Sequence, residues 1–505
     1  MQIVLIPFLS FCLSAAFVGC LIPIGNRFGL IDVPSAHRAH QGATPLVGGI
    51  AMYCAIAASN GLMHGIHGFG FSDSVLIACG LLVGMGILDD RYQLSVRIRM
   101  TLEVCAALLV ISYDGTIVRS LGSLLNSHPF DLGIFAVPFT VFSMVGAINA
   151  MNMMDGLDGL AGMVALAVFL LMAVVSVLAG LTPLFSLLLC LIGVTAGFLL
   201  YNFRFDDNKR ASVFLGDAGS TLLGFLIAVL LVDLSRNGAD YFHPVTALWL
   251  FALPLYDTLG VMVRRVWLNQ SPFKADRSHL HHILLDVGFR IRHVVLILFA
   301  LQAGFGLIGL AGVLAGISDA VMFYLFVAGW LLYLSVFISP GRVVPGFQKF
   351  HQHISLSGHR TRRVFIGNLP TGQTPALATA CELLGRYLSN TFHLFIKIDR
   401  DGTVLSCCCI IKTGVDDIDA LLCYLQERNS GALVIREYRV RQRKRLLPAL
   451  ARWLRQLMRR PPAEWKWRSA RTHLIYSSVR DSIHKEYHLQ PMPDECAEPE
   501  QPAWD

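Results

Sequence analysis

Eleven apolar runs follow one another through the first 340 residues, and no comparable run comes after them. They lie at roughly 3–25, 46–63, 74–88, 100–113, 132–150, 159–181, 184–201, 213–232, 245–263, 293–314 and 318–338. Crossing a bilayer takes about 20 mainly apolar residues as helix, and a chain in lipid must satisfy its backbone polar groups internally. The expected fold is an all-α polytopic membrane protein with about 11 transmembrane helices. Composition agrees: 54% of the 505 residues are apolar and 15% charged, against roughly 25% charged in soluble domains. A soluble enzyme over the whole length is excluded, as is a disordered chain. Ile3–Ile24 follows no basic segment and is followed by further runs, so it reads as a first transmembrane helix and not as a cleaved signal.

Charge divides the chain in the same place. From 340 to 505 there are 25 Lys+Arg and 16 Asp+Glu, a net of +9, which leaves the first part at −2. The expected domains are a membrane body over 1–340, a basic cytoplasmic α/β domain over 341–488, and an acidic, Pro-rich tail at 489–505 that reads as disordered. Within the second, Val364–Ile366, His393–Ile398, Val404–Ile411 and Ala432–Tyr438 read as strands, and Pro375–Leu388 and Asp416–Glu427 as helices. Arg441–Arg460 reads as a helix with one Leu/Trp face and one Arg/Lys face, suited to anionic lipid or a cytoplasmic partner. Arg363–Pro370 is similar to the first strand motif of an RNA-recognition module. The second aromatic motif is missing, so a strand and turn is the expectation and nucleic acid is not an expected partner.

With the N-terminus outside, the inner loops hold 14 Lys+Arg and the outer loops two, Arg119 and Arg236. By the positive-inside rule that orientation follows, and eleven spans put the basic tail in the cytoplasm.

The same inner loops hold the unusual chemistry. Asp89 and Asp90 end the third run. Asp155 and Asp158 lie in Asn149–Gly159, together with Asn149 and Asn152, and Asp217 lies in Phe214–Ser220. Five carboxylates converging beside hydrocarbon repel one another. A divalent cation removes the conflict, and hard Mg²⁺ or Mn²⁺ suits carboxylate oxygen. Gly156, Gly159, Gly216 and Gly219 are expected to let backbone approach a ligand closely, which beside carboxylates points to a metal-bound diphosphate.

Basic groups supply the complement: Arg38 and His40 in Pro34–Gly49, Arg264 and Arg265 closing the ninth run, and Asp276, Arg277, His279, His281 and His282 in Ser271–His282. Guanidinium and ammonium groups bind phosphate oxygens, and the histidines fit phosphate or sugar better than zinc, since no fourth ligand lies near. Asp257 sits inside the ninth run, two helical turns before Arg264, as a functional group or an arginine-paired structural one. Glu103 follows Arg99 by four residues and reads as its ion-pair partner.

Taken together, His40–Gly49, Leu88–Arg91, Asn149–Gly159, Phe214–Ser220 and Asp276–His282 resemble the polyprenyl-phosphate N-acetylhexosamine-1-phosphate transferases. They are most similar to the bacterial undecaprenyl-phosphate N-acetylglucosaminyl-1-phosphate transferases that start O-antigen and related glycans. His-Leu-His-His, where the peptidoglycan-precursor branch carries consecutive histidines, favours the amino-sugar branch. The resemblance covers about 1–340 and leaves the tail outside.

It implies transfer of N-acetylglucosamine 1-phosphate from UDP-N-acetylglucosamine to undecaprenyl phosphate, with UMP leaving, in a bacterial inner membrane. Another UDP-amino sugar or UDP-N-acetylmuramoyl-pentapeptide would react by the same chemistry. It further implies Mg²⁺ on Asp217 with Asp155 or Asp158 nearby, and Asp89 and Asp90 orienting the lipid phosphate. A two-step route through an aspartyl-phosphate stays open, as does a homodimer. The rivals from other classes are a lipid or ion transporter and an inactive lipid-binding scaffold.

Overall fold

In a computed structural model of the chain, the described residues are 2–32, 44–67, 70–124, 129–206, 210–237, 242–267, 269–271, 279–338, and five strands between 362 and 487. Compactness divides it into Met1–Leu285 with Phe289–Ile338, and Asp286–Gly288 with Ser339–Asp505.

The first unit is helical: α1 (Gln2–Phe28), α2 (Gly48–His67), α3 (Asp73–Tyr92), α4 (Val96–Asp114), α5 (Ala136–Met154), α6 (Leu160–Leu178), α7 (Thr182–Asn202), α8 (Gly216–Asn237), α9 (Pro244–Leu250), α10 (Ala252–Trp267), α11 (Leu280–Val287), α12 (Ile291–Leu314) and α13 (Asp319–Ile338). A helix stands over each of the eleven apolar runs, the ninth being divided between α9 and α10. Among the described residues six helices (α1, α5 with the turn before it, α6, α7, α8 and α12) are long and apolar enough to cross a membrane. The bent α9–α10 pair makes a seventh if it is one span. The others are shorter or carry polar residues, such as Asp89-Asp90-Arg91 ending α3 and Arg97 and Arg99 opening α4.

Local signals set the ends. Ser72 and Ser95 cap α3 and α4 by accepting from Val75 N–H and Ile98 N–H, and Gly115 closes α4 in the left-handed conformation. α8 is apolar nearly all round and is buried accordingly, with α2, α3 and α5 against it. Its first turn packs where only small residues fit. A Cβ on Gly86 of α3 would strike Ala218, and one on Gly49 of α2 would strike Gly219.

The ninth run breaks by 79° between Leu250 and Ala252. Pro254 is the cause: it has no N–H for the Leu250 carbonyl four residues back, and its ring crowds that carbonyl. Gln302 of α12, fully buried, repairs the damage. Its Nε2 donates to Leu250 O (2.6 Å) and its Oε1 accepts from Leu253 N–H (3.1 Å). α13 holds both halves, since Trp249 Nε1 donates to Met322 O (3.2 Å) and Tyr256 OH to Phe326 O (2.6 Å).

A two-stranded ribbon, β1 (Ile31–Asp32) antiparallel to β2 (Thr44–Pro45), closes the base of the 33–43 segment. Beyond it Phe214 N–H donates to Pro45 O (2.9 Å), and Gly48 and Gly49 N–H donate to Phe214 O and Leu215 O (3.0 Å each). The motif before α2 is thereby laid along the motif before α8.

In the second unit β3 (Arg362–Gly367), β4 (Phe392–Ile398), β5 (Val404–Ile411), β6 (Val434–Arg439) and β7 (Ile483–Tyr487) form one antiparallel sheet ordered β4-β5-β3-β6-β7. The first four have the order of a split β-α-β sheet, with β7 added at one edge. The four runs expected as strands are strands. The expected helices 375–388, 416–427 and 441–460 lie outside the described residues.

Candidate active site

The motifs at the ends of α3, α5 and α8 meet. Asp90 places both carboxylate oxygens 3.1 Å from Asp217 N–H, so it caps α8. Gly216 makes the approach feasible: it has φ +71°, and a Cβ there would stand 2.6 Å from Asp90 Oδ2. Asn152, in the last turn of α5, donates from Nδ2 to Asp217 Oδ1 (2.8 Å) and Ser220 Oγ (3.0 Å). Asn202, at the end of α7, ties the same region together. It accepts from Gly159 N–H (2.7 Å) and donates to Val213 O (2.8 Å).

The five carboxylates are not equivalent. Asp89 accepts from Arg99 Nη1 (2.8 Å) and Leu94 N–H (2.7 Å). Asp158 accepts from Arg204 Nε (2.6 Å) and Ala211 N–H (3.3 Å). Those two are balanced by arginines. Asp155 accepts no hydrogen bond among the described residues. Burial, then the charges of Asp217, Asp90 and Asp158, push its carboxyl well above the usual range. Asp90, Asp155 and Asp217 therefore bring together three carboxyls that pair with neither arginine among the described residues, although the Arg99 charge is felt at Asp217.

One sequence reading needs correction. Arg99 pairs with Asp89. Glu103, buried, instead accepts from Asn149 Nδ2 (2.6 Å), because the α4–α5 contact brings Asn149 to it. The four motif glycines approach the protein itself: a Cβ would meet His281 at Gly156, Phe203 at Gly159, Asp90 at Gly216 and Leu215 at Gly219. At each of them the packing of the motifs leaves no room for a larger side chain.

The histidine segment reaches the same place. His279 precedes α11, buried, with Nδ1 2.6 Å from Asp257 Oδ2. The His281 ring lies stacked at 5.4 Å from that of His279, and His282 is 4.3 Å beyond. Among the described residues neither nitrogen of buried His281 has a hydrogen-bond partner, and Nε2 abuts Gly156. Burial first, then His282 and His279, hold the His281 pKa down to about 3, so the ring is neutral. Arg265 is buried and Arg264 partly so at the end of α10. Arg38, His40, Asp276 and Arg277 lie outside the described residues. Sequence reading missed Asn202, Gln302 and Tyr333, whose hydroxyl donates to Asp257 Oδ1 (3.0 Å). The available signal was a polar side chain within or ending an apolar run.

Among the described residues no three His, Cys, Asp or Glu close into a metal cage. The donor chemistry nevertheless fits a hard cation. Mg²⁺ is held by one or two carboxylates together with substrate phosphates more often than by an all-protein cage. Asp155 and Asp217 offer such oxygens where charge is in excess.

A model described as glycosyl transferase family 4 matches residues 73–235, which include Asp89, Asp90, Asp155, Asp158 and Asp217. Over 327 residues the chain is 35% identical to an undecaprenyl-phosphate alpha-N-acetylglucosaminyl 1-phosphate transferase of Escherichia coli O157:H7, covering 64% of this chain and 88% of that one. The chain belongs to glycosyl transferase family 4. Equally named relatives are 35% identical in Yersinia pestis (64% of this chain, 88% of theirs) and 33% identical in Salmonella typhi (70% and 94%). This family 4 protein is thus a membrane-embedded phosphoglycosyl transferase, with its motif carboxylates gathered at one end of the helical unit.

Proposed function

We propose that the chain transfers N-acetylglucosamine 1-phosphate from UDP-N-acetylglucosamine to undecaprenyl phosphate, giving undecaprenyl-diphospho-N-acetylglucosamine and UMP. The observation that carries this reading is the 35% identity across 88% of a relative so named. It is reinforced by the gathering of Asp90, Asp155 and Asp217.

In the reaction a lipid phosphate oxygen bonds to the sugar-linked phosphorus as the bond to the UMP oxygen breaks. A phosphate monoester has a second pKa near 6, so the attacker is largely dianionic at pH 7 and needs little help from a base. What remains is positioning and charge neutralisation. Asp217 and Asp155 would hold Mg²⁺ (or Mn²⁺), which when bound would supply that charge neutralisation. Asn152 orients Asp217, and Asp90 fixes the start of α8. Asp89 and Asp158, through Arg99 and Arg204, hold the turns around the site. Arg264, Arg265 and the three histidines, with Arg38, His40, Asp276 and Arg277, receive the donor phosphates and sugar.

The topology that goes with this has eleven spans in a bacterial inner membrane. The N-terminus is outside, and the site and basic tail are in the cytoplasm, the tail meeting anionic headgroups or a cytoplasmic partner. The product would start O-antigen or a related surface glycan. The test is labelled UDP-N-acetylglucosamine with undecaprenyl phosphate and Mg²⁺ on purified full-length protein. Labelled lipid and UMP are expected, both lost with EDTA and in Asp217→Asn. Correctly folded protein that makes no labelled lipid from any UDP-amino sugar overturns the reading.

A further inference from the structure

Asp257 and Tyr333 take no part in the chemistry above, yet they form a buried polar contact within the helical unit. Asp257, 1% exposed, is a carboxylate within a broken span. One oxygen lies 2.6 Å from His279 Nδ1. The other accepts from Leu280 N–H (2.9 Å) and from Tyr333 OH (3.0 Å), which comes from α13. A carboxylate only accepts, so Nδ1 of His279 carries the proton, leaving Nε2 as the ring's remaining polar atom. Beyond His279 the stacked ring of His281 carries the arrangement to Gly156, next to Asp155. α13 is itself fixed on the broken span through Trp249 and Tyr256.

We propose that Asp257, braced by Tyr333, is the positioning residue of the histidine segment. It sets the tautomer and rotation of His279 and, through the ring stack, the place of His281 beside Gly156, so that the sugar-nucleotide donor meets a preset surface. The proposal rests on the reading of His279–His282 as part of the donor site.

It is tested by donor binding, which needs no turnover, on purified full-length protein with UDP-N-acetylglucosamine as the probe. Asp257→Asn keeps the shape but turns an amide donor toward Nδ1, forcing the other tautomer. Donor Kd is expected to rise at least tenfold, with the lipid KM and the melting midpoint unchanged. Tyr333→Phe is expected to raise donor Kd about threefold. Asp257 acts through His279, so Asp257→Asn with His279→Gln should bind donor no more weakly than His279→Gln alone. Trp249→Phe, which loosens α13 away from the histidines, should leave donor Kd within twofold.

Additive losses in the double variant, an unchanged Kd in Asp257→Asn, or an equal loss in Trp249→Phe each overturn the proposal. If Asp257→Asn misfolds, the Tyr333→Phe and His279→Gln pair is read in the same cycle. A parent protein that binds donor but makes no lipid-linked product overturns the reaction alone, and the cycle still judges positioning. A parent that binds no donor overturns both.

Discussion

Gln302→Leu isolates what holds the broken span. The two side chains are close in volume, so the packing change is small. Two interactions disappear: the 2.6 Å bond to Leu250 O and the 3.1 Å bond to Leu253 N–H. Neither backbone group has a ready substitute. Pro254 cannot donate to Leu250, and Leu253 N–H is in the first turn of α10, where helix N–H groups have no partner within the helix. Leaving a buried polar group unpaired costs about 1–3 kcal/mol, whereas side-chain hydrogen bonds within membranes average about 0.6. Gln302 is fully buried in protein and the bend blocks rearrangement, so two such losses should come to about 2–3 kcal/mol, a factor of about 30–150 in the folding equilibrium. At about 2–3 °C per kcal/mol for a large unit, the midpoint in mild detergent should fall by about 4–9 °C. Donor KM should rise with it, because Asp257 lies less than two turns past the break. A variant melting within about 1 °C of the parent with unchanged kinetics would show that the bend holds itself and refute the reasoning.

Three further outcomes follow from the site. The raised pKa of Asp155 means that, without a cation, folding stability falls as pH rises from about 4 toward the raised value, the folded state being the better proton binder. Mg²⁺ held by Asp155, as proposed, would compete with that proton, so the Mg²⁺-induced rise in melting midpoint should grow from pH 6 to pH 8.5; a flat response counts against Asp155 as a ligand. Gly216→Ala puts a Cβ 2.6 Å from Asp90 at a φ of +71°. It should lower kcat about 100-fold with the helical content intact, and circular dichroism beside turnover checks this. Arg204→Ala leaves Asp158 without its 2.6 Å partner and adds charge near Asp155. It should lower kcat/KM about tenfold, with partial recovery in Arg204→Lys; unchanged kinetics would remove Asp158 from the scaffold.

The helices were legible because a chain in lipid has few alternatives, and the carboxylate motifs because ionised groups beside apolar runs need a reason to be there. Pairing between distant segments was not. The i,i+4 spacing on α4 pointed Arg99 to Glu103, but tertiary contacts gave Arg99 to Asp89 and Glu103 to Asn149. The division of the ninth run was written in Pro254, yet the run around it is apolar enough to read as continuous. Gln302 has no motif at all, since its role exists only once α12 lies against the break. Among the strands, β7 went unread because Ile483-His-Lys-Glu-Tyr487 has too little apolar content to stand out.

The ribbon of β1 and β2, with its continuation onto Phe214 and Leu215, has an evolutionary corollary. It clasps both ends of the 33–43 segment, so the entropy of closing that segment hardly depends on what lies between them. Doubling such a loop costs only about 0.6 kcal/mol. A lineage could lengthen, shorten or exchange the stretch around Arg38 and His40 while the helices beneath it stay in register.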